Sequence, residues 1–288
     1  MKRNKKTVIL LLLLLSLFLH GCMQPKSGEE GTSDSDGEIT PPTHFYENMN
    51  YQYLTDVDVS VLTTDFNPVY LLLMNKKQTL GEDFVPSSLT TLTCDTLEEG
   101  RKYELESRVA KALYAMMDEM RADNVKDIMV ASAYRAYSYQ VTVYNKHVNK
   151  EASGISADAY AVLGYDYIQQ NYITQGLSKL NHTDAQRVAQ SYSAKPGESE
   201  HQTGLCVDFI TSTMGSELTV EFANTEAFVW LSENAYRFGF ILRYPEGKES
   251  ITGYTYEPWH YRFVGREAAT DIYFGNLTLE EYLNAVSV

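Results

Sequence analysis

The sequence is poor in cysteine, in basic residues and in long apolar runs. Three cysteines in 288 residues cannot build the disulfide framework on which small secreted folds rely. The fold must instead rest on an ordinary core, for which a hydrophobic content of 44% suffices. Lys and Arg number 24 against 38 Asp and Glu, a formal charge of −14. That balance argues against a nucleic-acid partner, which would need basic patches. One long apolar run is present, VILLLLLLSLFL at residues 8–19, and it is too short to span a bilayer comfortably as a helix. No internal repeat is present.

What precedes and follows that run gives it a meaning. Lys2, Arg3, Lys5 and Lys6 form a basic leader before it, and Leu19-His20-Gly21-Cys22 follows. The pattern reads as an export signal over residues 1–22. Its end resembles a bacterial lipobox, in which Cys22 is lipidated after cleavage before it. His20 departs from the small residue usual there, and an uncleaved signal anchor is the alternative. Both readings export the chain, so the expected location is extracytoplasmic and anchored to the cell membrane. Cleavage would remove four basic and no acidic residues, leaving 20 against 38, or −18. Charge would not draw such a surface to anionic lipid, so attachment would rest on the lipid. Residues 23–43 are polar, acidic and rich in Gly, Ser and Pro, a composition that reads as a flexible tether. Residues 44–288 are expected to form one domain, acting as a monomer. Cys94 and Cys206 could pair, but free thiols are the expectation.

The hydrophobic pattern gives a coarse architecture. Residues 69–74 (VYLLLM) read as a short strand before a polar turn, NKKQ. Over residues 101–122, Leu105, Val109, Leu113, Met116 and Met120 recur at intervals of three and four, which predicts a helix. Residues 127–135 read as a strand running into a loop, 138–150 as a helix, and 155–192 as mostly helical, flanking a cleft. Residues 205–210, 239–244 and 259–264 read as short strands. Residues 227–239 read as a helix stopped by Gly239, and a last short helix lies near the C-terminus. Helices first and clustered strands later predict an α+β fold, a small antiparallel sheet flanked by helices. Tyr165, Ile168 and Tyr172 fall on one helical face and are expected to pack rather than to bind.

SEHQTGLCVDF at residues 199–209 concentrates groups able to bind a metal or move a proton. A hydrolytic zinc site takes three protein ligands and leaves one position for water. His201 on a turn, Asp208 in the strand that follows and His260 at the start of another strand could supply those ligands. Glu257, three residues before His260 and off the strand, could serve as the base. Spacing alone leaves the alternative of hydrogen-bonded core histidines open.

The motifs themselves carry more. SEHQTGLCVDF and EPWHYRFVG resemble the two signatures of the VanY-type zinc D-alanyl-D-alanine carboxypeptidases, S-x-H-x-x-G-x-A-x-D and E-x-W-H. SAYRAYSYQ at 132–140 is similar to a third family motif, and residues 71–89 resemble the segment that leads into the family's domain. The similarity covers roughly residues 68–270 and is weakest at 151–192. It implies the fold shared by these carboxypeptidases and hedgehog-type domains, with His201, Asp208 and His260 as zinc ligands and Glu257 as the base. It implies that Arg135 binds the substrate carboxylate or the oxyanion, and that Gln140, Ser199 and Thr203 line the substrate site. Trp259 is a further candidate for the pocket wall. Where the family usually has Ala, this chain has Cys206, on the same face as Asp208 if 205–210 is a regular strand; a small buried thiol is the expectation and contact with the metal the alternative. Glu200 is expected to be solvated or to support a ligand. The implied substrates are peptidoglycan stem peptides. The favoured reaction is removal of the terminal D-Ala from the pentapeptide, with L,D cleavage of the tetrapeptide as runner-up. A murein-binding lipoprotein without catalysis is a further reading, one that would have no need of Glu257.

Overall fold

The computed structural model describes residues 44–286; the expected signal segment, Cys22 and the tether at 23–43 lie outside the described residues. Strand β1 (Leu89–Thr91) pairs antiparallel with β2 (Glu104–Glu106). The chain then enters helix α1 (Ser107–Ala122). The helix therefore begins later than residue 101, where the periodic pattern starts. Residues 104–106 are taken by sheet pairing, and the Glu106 carboxylate accepts from the first free amides of the helix, Arg108 N and Val109 N. The predicted apolar face is fully buried: Leu105, Val109, Leu113, Met116 and Met120 are all 0% exposed.

Strand β3 (Met129–Ser132) follows, then a helical block of α2 (Tyr137–Ala152), α3 (Ala157–Leu163), α4 (Tyr165–Asn171) and α5 (His182–Ala189). Tyr144, Val148, Leu163, Ile168, Tyr172 and Val188 are among the residues that give this block a core of its own. The tyrosine stripe divides there, and Tyr165 at the start of α4 stacks on Tyr160 instead of joining the core. Ile168 and Tyr172 are buried while Tyr165 is 66% exposed.

The rest of the chain supplies β4 (Cys206–Ile210), α6 (Glu226–Asn234), β5 (Phe240–Leu242), α7 (Glu249–Thr252), β6 (His260–Phe263), α8 (Arg266–Gly275) and α9 (Leu279–Val286). The helix expected at 227–239 is α-helical to Asn234, then tightens into a 3₁₀ turn that stops at Gly239. Gly239 has φ +84°, and a Cβ there would sit 2.6 Å from the Phe263 ring, so glycine is required twice over.

The main sheet is antiparallel throughout, in the order β3-β4-β6-β5. Alternation along β4 and β6 sorts its two faces. Val207, Phe209, Tyr261 and Phe263 join α1 and α6 in the principal core. Cys206, Asp208, His260 and Arg262 take the opposite face, with Asp208 directly across from His260. The α+β fold with a small antiparallel sheet is thus the one the sequence pattern predicts.

One predicted strand does not form. Residues 69–74 are irregular: Asn67 turns the chain by accepting from Val69 N through its side chain and from Tyr70 N through its carbonyl. The carbonyls of Tyr70 and Leu72 then accept from the Arg262 guanidinium, at 3.1 and 2.7 Å, rather than from a neighbouring strand. The apolar run is still used, since Met74 is buried and Leu71 and Leu73 pack against α8 and α9 residues. Cys94 and Cys206 are free thiols. No helix among the described residues is long and apolar enough to cross a membrane.

Candidate active site

The site is built where three segments meet. His201 lies in a single turn (Glu200–Thr203) before β4, Asp208 in the middle of β4, and His260 at the start of β6. Gly204 ends the turn in the left-handed region, φ +66°, and sends the chain into the strand. The His201 carbonyl accepts from Arg135 N, and the His201 ring Nδ1 lies 2.6 Å from the Ala133 carbonyl. The loop after β3 therefore holds the turn at both its backbone and its imidazole.

These contacts set which ring nitrogens turn inward. A carbonyl can only accept, so His201 Nδ1 carries a proton and Nε2 is the nitrogen turned towards Asp208. That Nε2 lies 3.1 Å from Asp208 Oδ2. His260 Nε2 faces the Glu200 carboxylate at 3.4 Å, an acceptor that suits a proton on that nitrogen. Nδ1 in turn lies 2.8 Å from Asp208 Oδ1. Two imidazole nitrogens and one carboxylate thus converge, all buried, and the two rings stand nearly perpendicular with centroids 5.1 Å apart. Acceptors so arranged repel one another unless a positive charge lies among them, either protons or a cation. The N, N, O donor set fits a borderline divalent ion such as zinc.

The neighbouring acids are tuned in opposite directions. Burial would raise the Asp208 carboxyl, but the His201 and His260 imidazoles outweigh it and hold the group far below the usual carboxylate range. Glu257 is nearly buried, with Oε2 3.8 Å from His260 Nδ1 and, among the described residues, no hydrogen bond to hold its carboxylate ionised. Desolvation pushes its carboxyl up to about 7, in spite of the pull from His260. A carboxylate poised near neutrality beside the convergent donors is what a general base requires.

Around these groups opens a cleft of about 320 Å³, lined on the sheet side by His201, Asp208, Glu257, Trp259 and His260, and on the helical side by α2 and the residues after α5. Arg135 lines it as well. No carboxylate lies within ion-pair distance of Arg135 among the described residues, and its Nε is buried without a partner. A half-buried guanidinium with no carboxylate beside it suits an incoming anion.

The match to known proteins decides the family. Residues 102–266 match the VanY family of D-alanyl-D-alanine carboxypeptidases. YodJ of Bacillus subtilis (strain 168), assigned as a carboxypeptidase, is 33% identical over 267 residues, 91% of this chain and 85% of its own length. A D-alanyl-D-alanine carboxypeptidase of Enterococcus faecalis is 36% identical over 74% of this chain, and the match spans 65% of that relative. Among solved structures, the LdcB LD-carboxypeptidase superposes with a TM-score of 0.59 at 33% identity, covering 76% of this chain and 88% of its own. A point mutant of the vancomycin-resistance D,D-pentapeptidase VanY, in complex with Zn(II), gives 0.56 at 35% identity, covering 75% and 99%.

This chain is a member of the VanY carboxypeptidase family.

Of the residues that the VanY resemblance singles out, His201, Asp208, His260, Glu257, Arg135, Gln140, Ser199 and Trp259 all line the one cleft. Gln140 donates through Nε2 to the Ala194 carbonyl, and its buried Oε1 has no partner. Thr203 requires a correction. It does not line the cleft; its hydroxyl donates to the Glu200 carbonyl and accepts from Leu205 N, so it closes the turn that presents His201.

Glu200 is not solvated. Its Oε1 accepts from Arg243 Nε and Arg262 Nη1, both at 2.8 Å, and its Oε2 faces His260. Arg243 in turn makes a two-pronged pair with Glu280 of α9. The two arginines are 0% exposed. Sequence reasoning misses this network, although an Arg inside each of the apolar strands FILRY and HYRFV is the available signal. It also misses Tyr254, whose buried hydroxyl lines the cleft and lacks a partner.

Proposed function

We propose that this protein is a zinc-dependent D,D-carboxypeptidase that removes the C-terminal D-Ala from peptidoglycan stem pentapeptides at the outer face of the membrane. The observation that carries it is the convergence of His201 Nε2, Asp208 and His260 Nδ1 next to the nearly buried, hydrogen-bond-free Glu257 carboxylate. The VanY structure that this chain resembles is described with Zn(II), and a second VanY structure, VanYB, is described with D-alanine-D-alanine. Residues 44–288 are read as one catalytic domain, delivered by the export signal and held at the membrane by lipid on Cys22.

His201, Asp208 and His260 would hold zinc, which when bound makes a water acidic enough to attack near neutral pH and polarises the scissile carbonyl. The rest is the work of this chain's side chains. Glu257 takes the proton of the attacking water and returns it to the leaving amine. Glu200 accepts from His260 Nε2 and so keeps Nδ1 turned inward. Arg135 pairs with the terminal carboxylate of the substrate, which positions the last peptide bond at Glu257 and accounts for cleavage at the chain end. Tyr254 and Gln140, which line the cleft and each keep a polar atom without a partner among the described residues, supply further contacts to the peptide.

The likeness to the LdcB LD-carboxypeptidase favours one second reading, L,D cleavage of the tetrapeptide. Incubation of the purified protein with pentapeptide and with tetrapeptide, with and without chelator, separates the readings. Release of D-Ala from the pentapeptide that stops at tetrapeptide, and is abolished by chelator and restored by zinc, is the expected result. Release from tetrapeptide alone establishes the L,D reading. Release from neither leaves binding without hydrolysis.

A further inference from the structure

Strand β4 carries a fourth donor that the proposed ligand set does not use. Cys206 lies two residues before Asp208, on the same face of the sheet, and is fully buried. One sulfur and one nitrogen from each imidazole, those of His201, Cys206 and His260, all lie within 4.8 Å of one another. The thiol is in no disulfide. His201 and His260 therefore belong to two overlapping triads, one completed by the Asp208 carboxylate and one by the Cys206 sulfur. A side chain that only filled an alanine-sized slot would not need to aim sulfur at both rings.

We propose that Cys206 is itself a ligand of the ion held here, adding a thiolate to His201, Asp208 and His260. The inference rests on the metal-site reading above. On binding, the Cys206 S–H bond breaks, its proton passes to solvent, and a sulfur–metal bond forms, with no change of oxidation state. Two consequences follow from the donor chemistry. Sulfur shifts the preference of the site towards thiophilic ions, zinc and cadmium over magnesium and manganese. Four protein ligands also close a tetrahedral site in the manner of structural zinc, so the sulfur competes with water for one position. Cys206 thus trades turnover for retention of the ion.

Cobalt(II) uptake by the purified protein tests this by absorption rather than by activity. The wild type is expected to bind one equivalent and to show a near-ultraviolet thiolate-to-cobalt charge-transfer band together with visible ligand-field bands. Cys206→Ser and Cys206→Ala are expected to keep the ligand-field bands and lose the charge-transfer band, while Cys94→Ser keeps both. In chelator competition, zinc affinity of Cys206→Ala should fall at least about tenfold. A wild type that binds one cobalt with ligand-field bands and no charge-transfer band overturns the inference and leaves the metal site standing. Failure to take up cobalt stoichiometrically overturns the metal site and this inference with it. If either Cys206 variant fails to fold, the wild-type and Cys94→Ser spectra still decide.

Discussion

The two sides of the cleft are held by different physics. The sheet side is fixed by buried charge: Glu200 bridges Arg243 and Arg262, Arg243 also grips Glu280, and the Glu200 carboxylate reaches His260. The helical side, α2 to α5, rests on a small apolar core and on tyrosine hydroxyls. Tyr172 and Tyr167 donate to Asp184, and Tyr192 donates to Glu151. A buried ionic network gains little until every member is paired, and it fails sharply when one is removed. An apolar core loses stability in proportion to what is cut away. The difference teaches that the geometry around His201, Asp208 and His260 is set by an all-or-none lattice, whereas the helical wall of the cleft can vary by degrees.

The largest effect should come from a sheet-side residue that stands outside the lattice. Glu257→Gln is expected to lower turnover by ~10²–10⁴ while Tm and zinc content stay as in the wild type. If the variant hydrolyses as fast as the wild type, the base assignment is wrong. If it loses Tm or zinc instead, Glu257 belongs with the structural charges and the contrast between the two sides blurs. Next comes the lattice itself. Glu200→Gln removes the charge between two fully buried guanidinium groups, and such losses cost about 3–5 kcal/mol. It also weakens the acceptor that orients His260, so zinc affinity should fall by about 10–100-fold. Denaturant unfolding and chelator competition check both halves, and a variant as stable as the wild type would show that the lattice is ornamental.

How far the sequence discloses this depends on which kind of force is at work. The helical spacing of Val109, Leu113, Met116 and Met120 and the alternation around His260 are local periodicities, and both elements form there, the helix starting only at Ser107. The motif residues His201, Asp208, Glu257 and His260 are legible through family resemblance, not through spacing. Residues 69–74 mislead because an apolar run does not reveal where its carbonyls will find donors, here a guanidinium 190 residues away. Glu200 is legible only as a choice between solvent and support of a ligand, for the same reason, and the structure takes the second. Its partners Arg243 and Arg262 are distant in sequence, as is Glu280 beyond them, and a carboxylate beside a histidine looks solvated until they are placed. Thr203 is legible as a motif residue but not as a turn-closing hydroxyl. Long-range pairing of buried polar groups is the part that sequence pattern cannot supply.

On the helical side the expected losses are smaller and separable from the ion. Ile168 is 0% exposed in the core of that block. Ile168→Ala should cost about 2–5 kcal/mol. Because the block contributes wall rather than ligands, KM for the peptide should rise while zinc affinity stays within error of the wild type. Equal losses of zinc and of peptide affinity would mean that the two sides unfold together, and the division between them would not hold.

The smallest effect sharpens the contrast through pH. Asp184 is buried, which raises its pKa, yet the hydrogen bonds from Tyr172 and Tyr167 and the nearby Arg187 outweigh burial and lower it below the ordinary carboxylate value. A depressed folded-state pKa stabilises the protein above the unfolded pKa, and that contribution is lost as pH falls through the folded value. Tyr172→Phe removes one of these donors, so the folded pKa should rise towards the unfolded one. At neutral pH the variant should be less stable by about 1–3 kcal/mol. As pH falls below about 4, the gap between variant and wild type should narrow, because the wild type loses the contribution that the variant already lacks. Unfolding midpoints measured for both proteins from neutral pH downwards give the answer. A gap that stays constant across the acid range would mean that the Tyr172 hydroxyl acts through packing alone, and that the helical side owes nothing to charge.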